Sequence, residues 1–334
     1  MSYLITTSAG DGYQLATHAS LQKAINSLSE SGGTVWVWTN ITLRRPIEMA
    51  GGVTVDFLNH RVTIPDKYRP ERTSFVHFGT SASFACVKNA EVVMSSTAGS
   101  PLILLQAEGE DSAWLQGVLV ENIRFINTSA SADTSEGFDH HTQDAIVVRA
   151  GAGGVIDGNT LQGLRFQGIR CGVRLDKASG PENIIRNNFF HDLFFDGCES
   201  LIRFSSVGDA TGYACNLFSH VRGRAYTYTL AGVENIAGEA NHFEHVSIDR
   251  WELSFDPNAP DWSISDQALH TYICAHKIIH LRDLGSQETI VDPPNALMTS
   301  LDISHPPHII LTDQQHFSAR QRSLPLDALG GRYQ

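Results

Sequence analysis

Lysine is scarce. The 334-residue chain carries 24 basic residues, 5 of them Lys, against 36 acidic ones, for a net charge of -12. A phosphate backbone selects clustered cations, so unspecific nucleic-acid binding is excluded and no nucleic-acid partner is expected. Cysteine is equally thin. Cys86, Cys171, Cys198, Cys215 and Cys274 are odd in number, far apart and never in a C-x-x-C spacing, which speaks against a disulfide framework or a zinc site. No apolar run reaches the roughly 18 residues of a membrane helix. The opening "MSYLITTSAGDGYQ" lacks the basic and apolar regions of an export signal. The expectation is synthesis in a cytosol, with no membrane span and no cofactor. Helical periodicity and coiled-coil heptads are also missing from most of the chain.

What is present is a repeat. "NTLQGL" from Asn159, "NFFHDL" from Asn188, "NLFSHV" from Asn216 and "NHFEHV" from Asn241 all read N-x-(Phe or Leu)-x-x-(Leu or Val). Their starts are 29, 28 and 25 residues apart (188 - 159, 216 - 188, 241 - 216). Each is followed by a second short stretch: "CGVRLD", "SLIRFSS", "AYTYTL" and "WELSFD". Asn59, Asn89 and Asn122 fit the series more loosely. Units this short cannot bury an apolar face alone, but stacked units can. As turns of a solenoid they bring like residues together at about 4.8 Å. Repeated Phe and Leu then form an apolar ladder, and repeated Asn forms a corner whose amides pair with backbone and with the next Asn. A sandwich or propeller would want hairpin turns every roughly 8–12 residues, and few N-G or D-G turns are present.

At the start, Leu21, Ala24, Ile25 and Leu28 follow helical spacing, Thr17 or Ser20 can cap the helix, and Gly32-Gly33 can end it. The strand "TVWVW" follows at once. Such a helix would cover the open end of a stack and protect its edge strands. A helix of the "LQKAINSLSESGGTVWVW" type, then "ITLRRPIEMAGGVTVDFLNHRVTI", then N-x-F turns, resembles the pectin-lyase-like superfamily over about residues 15 to 255. That superfamily holds polysaccharide lyases, polygalacturonases and the spikes of tailed viruses. The resemblance implies an all-β, right-handed parallel β-helix with an N-terminal capping helix, and a homotrimer. The expected layout is an N-terminal segment over residues 1–50, β-helix turns over 51–255, and last turns, Pro-rich loops and a tail over 256–334.

The chemistry is less defined. Glycoside hydrolysis needs two carboxyls, about 5 Å apart for retention and roughly 6.5–9.5 Å for inversion, and stacked turns supply such spacings. Asp192, Asp196, Asp249 and Glu252 are the catalytic candidates, with Glu199 and Glu244 in the same regular turns. The N-T-D, D-D, G-H-G and R-I-K motifs of polygalacturonases are absent. His191, His220 and His245 each follow an Asn by four residues and form a candidate column, although the Asn188 alignment shifts His191 by one. Arg222, Arg224, Tyr226 and Tyr228 in "VRGRAYTYTL" suit a glycan, since Tyr stacks on sugars and Arg grips carboxylates. The insertion "GFDHHTQD" gathers Asp139, His140, His141 and Asp144, a polar loop with the residue types of a metal site. Two functions are expected. One is a structural virion spike that binds a host-surface glycan, with or without depolymerase activity, and contacts other virion proteins. The other is a polysaccharide lyase or glycoside hydrolase acting on an acidic polysaccharide, extracellular by another export route.

Overall fold

The computed structural model describes residues 3–65, 75–94, 101–109, 113–128, 144–169, 171–198, 200–206, 212–225, 231–235, 241–248, 262–266, 271–277, 280–283, 289–292, 300–303 and 309–311. Within them, side chains of 197–201, 205–206 and everything after 222 except Asn241 are outside the description.

Strands stack into three sheets of 15, 10 and 4 strands, here A, B and C. In the central turns the chain visits each sheet once. It passes from Cys171–Lys177 in B to Ile184–Arg186 in C, to Phe189–Cys198 in A, and back to B at Ser200–Ser206. Among the described residues, strands from Gly33 onward pair with one another only in parallel, for example Leu161 opposite Phe190 and Phe190 opposite Phe218. The chain is therefore an all-β parallel β-helix. The strand register steps by the same 29, 28 and 25 residues that separate the four Asn motifs.

Alternation points Leu161, Phe190 and Phe218 inward, where all are fully buried. Phe190 and Phe218 stack at 4.4 Å between ring centroids, while Phe125, Phe166 and Phe195 form a second stack at 5.4 and 4.7 Å. Like residues meet because the register repeats them on successive turns.

Two bends shape each central turn. Between sheets C and A a residue adopts left-handed backbone: Gly117 (φ 65°), Gly158 (64°), Asn187 (52°) and Cys215 (54°). The residue after it points inward, and at Asn159, Asn188 and Asn216 it is a buried amide. The Oδ1 of Asn188 accepts from the backbone N (3.0 Å) and Nδ2 (2.9 Å) of Asn159. Asn216 does the same for Asn188, and Asn241 for Asn216. Each Nδ2 also donates to a main-chain carbonyl, Ile156 O for Asn188 and Ile185 O for Asn216. The ladder satisfies its buried polar atoms, as burial demands.

The second bend lies within the strands of sheet A, at Asn89 (φ 56°), Asn122 (53°), Gly163 (64°), Asp192 (50°) and His220 (56°). The looser Asn89 and Asn122 belong here and not to the buried ladder, while Asn59 (φ 64°) turns the chain between Val53–Asp56 and Arg61–Ile64. Asn serves both places because it tolerates left-handed backbone and also offers both a donor and an acceptor.

The amino end is closed as expected. The helix His18–Ser27 starts with a capping box between Thr17 and Ser20 and buries Leu21, Ala24 and Ile25. The side-chain amide of Gln22 donates to Glu48 O and accepts from Glu48 N, both at 2.9 Å, occupying the edge of sheet B as another strand would. Ahead of the helix, Ile5–Thr7 pairs antiparallel with both Gly33–Val37 and Gly12–Tyr13, and Gly12–Tyr13 ends sheet A. Beyond residue 255 parallel pairing continues through Ser300–Ile303 in sheet B and Ile309–Leu311 in sheet A. Of the expected second stretches, "AYTYTL" from Tyr226 onward and "WELSFD" lie outside the described residues, and the described sheet B strand that follows Leu217–Ala225 is Ala231–Asn235.

Candidate functional site

The left-handed bend in sheet A interrupts the in-and-out alternation, so two consecutive residues face away from the core on each turn. Val120 and Ile123 point inward while Glu121 and Asn122 between them do not, and Leu161 and Leu164 bracket Gln162 and Gly163 likewise. On the next turn the outward pair is His191 and Asp192. Stacked, these pairs line a shallow cleft of about 280 Å³ formed by Glu121, Asn122, Gln162, Gly163, His191, Asp192 and His220. That volume lies just under the roughly 300–1,000 Å³ of enclosed ligand pockets.

Inside the cleft the side chains are already ordered. Gln162 Nε2 donates to Glu121 Oε1 at 2.6 Å. The rings of His191 and His220 meet edge to face with centroids 5.0 Å apart, and His220 Nδ1 lies 2.8 Å from Ser219 Oγ. The next outward column carries Arg124, Arg165, Phe194 and Arg222 in register, with Phe194 44% exposed. The groove thus combines carboxylate, amide, imidazole, guanidinium and aromatic groups on one face.

Of the residues selected from sequence, Asp192, His191 and His220 converge here. The histidine column itself is displaced. Pairing sets His191 opposite Ser219, whereas Asp192 stands at the level of His220, which in turn stands at the level of His245. Asn188, not Asn187, is the homologue of Asn216 in the stack, so the four-residue count misplaces His191 by one. The two rings touch nonetheless, because the bend at His220 turns its side chain outward beside Ser219.

Asp196 is half-buried at the far end of its strand, opposite Gln167 and Arg224, away from the cleft. Arg222 is exposed beside Phe194. Glu244 pairs with Ser219 by register. Tyr226, Tyr228, Asp249, Glu252 and Glu199 lie outside the described residues, as do Asp139, His140 and His141. Asp144 is buried, with Oδ2 2.7 Å from Arg174, so an ion pair already engages the carboxylate considered for a metal. Among the described residues no group of three or more His, Cys, Asp or Glu side chains is placed to hold a metal ion. Glu121 and Gln162 were missed. They sit 41 residues apart around the long insertion, and only the strand register brings them together.

No family model matches the sequence, and no curated protein matches it. Among solved structures, PfbA, a surface adhesin of Streptococcus pneumoniae, is similar at 10% identity over 95% of this chain and 89% of that one, with a TM-score of 0.24. A likeness of that degree carries no argument about function, and the fold rests on the strand pairing itself.

Proposed function

We propose that the chain is a rigid, glycan-facing spike whose groove on sheet A binds a surface polysaccharide. The observation that carries this is the stacked bend. It places Glu121, Gln162, His191, Asp192 and His220 along one cleft, beside the exposed Phe194 and the Arg165 and Arg222 that flank it. Sugars are recognised by this combination, with polar groups meeting hydroxyls and an aromatic face meeting C–H bonds. Attachment of a virion to its host, a homotrimer and contacts with other virion proteins belong to the same reading. They are supported by the resemblance of the first turns to the pectin-lyase-like superfamily, which includes the spikes of tailed viruses along with its enzymes.

The test is retardation of the purified protein in gels containing surface and plant polysaccharides. At least one polymer retards the wild type, and the double variant His191→Ala/His220→Ala weakens retention about tenfold or more. Equal retardation of both proteins contradicts the groove.

One observation favours turnover as a second reading. Glu121 and Asp192 line the same cleft two turns apart, an axial separation of about 10 Å. That is close to the upper end of the roughly 6.5–9.5 Å used by inverting hydrolases. New reducing ends that disappear in Glu121→Gln and in Asp192→Asn, with retention kept, establish it.

A further inference from the structure

A second surface, on the opposite side of the corner between sheets C and A, is built around Trp114. This residue is 41% exposed on Ala113–Gln116, which is the edge strand of sheet C. Toward the following turns, the guanidinium of Arg186 lies 5.5 Å from the indole centroid. Asp157 holds that guanidinium at 2.9 Å. The indole is therefore backed by a cation whose charge is already paired, and its remaining surface meets solvent.

Phe84 adjoins this surface. Its backbone N donates to Gln116 O at 2.9 Å, two residues along the Trp114 strand. It occupies a corner with φ of 63°, where the turns on either side carry Gly52 and Gly117. A bulky residue in that conformation is strained. Its ring is 64% exposed and lies so close over Gly117 that a Cβ there would be 2.5 Å from Phe84 Cδ1. The fold gains little from an aromatic that is both strained and solvated. Strain of this kind points to a ligand.

The size of the surface selects the ligand. Two aromatic side chains with these exposures present on the order of 200 Å², far below the ~800 Å² that a stable protein partner covers. Trp114 and Phe84 offer flat apolar faces, while Gln116, Asp157 and Arg186 offer donors and acceptors at the rim. A pyranose ring has the matching pattern, an apolar C–H face and a hydroxyl edge. We propose that Trp114 and Phe84 form a second sugar-binding subsite that stacks a neutral pyranose, on a face separate from the groove.

The inference rests on the reading of the chain as glycan-binding, and the experiment separates the two. An array of neutral and acidic oligosaccharides is probed with wild type, Trp114→Ala, Trp114→Phe, Phe84→Gly and the groove variant His191→Ala/His220→Ala, each checked by circular dichroism. Trp114→Ala and Phe84→Gly each lower affinity for neutral oligosaccharides about tenfold. Trp114→Phe recovers part of it, and Trp114→Ala lowers it by the same factor whether or not the groove variant is also present. Neutral binding that survives Trp114→Ala, or is absent in the wild type, overturns the subsite. So does a Trp114-dependent dimer without sugar binding. Loss through Trp114 alone, with the groove variant silent toward every oligosaccharide, upholds the subsite and removes the groove.

Discussion

Asn188 carries more of the fold than its size indicates. Its Oδ1 is the acceptor for two donors of Asn159, and its Nδ2 serves Asn216 Oδ1 and Ile156 O, all within the core. Asn188→Ala leaves two donors of Asn159 buried without that acceptor. At roughly 1–3 kcal/mol for each unsatisfied group, the variant loses about 3 kcal/mol in denaturant unfolding. Cys86 sets a pH dependence. Burial raises its thiol from 9.0 to about 11, and the charge of Lys88 partly opposes the shift. The folded chain favours the neutral thiol. Its contribution is full below about pH 9 and is lost as pH rises toward about 11. The stability difference between wild type and Cys86→Ala accordingly shifts against the wild type over that interval, measured as denaturant midpoints. A constant difference contradicts it.

At the scale of elements, the strands are held by side chains that repeat with the register. Phe190 and Phe218 are both fully buried and stacked at 4.4 Å. Phe190→Ala or Phe218→Ala costs roughly 3–5 kcal/mol, and unchanged denaturation midpoints in both exclude this register. These two positions were legible because N-x-F recurs with few insertions. The capping helix was legible too, since Leu21, Ala24 and Ile25 at helical spacing require one buried face. The antiparallel strand Ile5–Thr7 was not, because three residues carry no measurable alternation. Nor was the third strand of each central turn. Sheet C contributes only two to four residues per turn, short enough to read as a bend.

For the whole molecule, the fold was far more legible than the site. Stacking forces like residues onto like positions, so a β-helix writes its period into the chain. Its groove is assembled across turns. Glu121 and Gln162 acquire meaning only beside His191 and Asp192, and a one-residue error in register moved His191 off its column. The central claim is that this groove is where a glycan binds. The most direct measurement is the set of histidine ring C–H signals in the magnetic resonance spectrum as a binding polysaccharide fragment is added to the 15-histidine chain. Two signals should shift, and those two should be the ones missing from His191→Gln and from His220→Gln. Binding that moves neither of them contradicts the account.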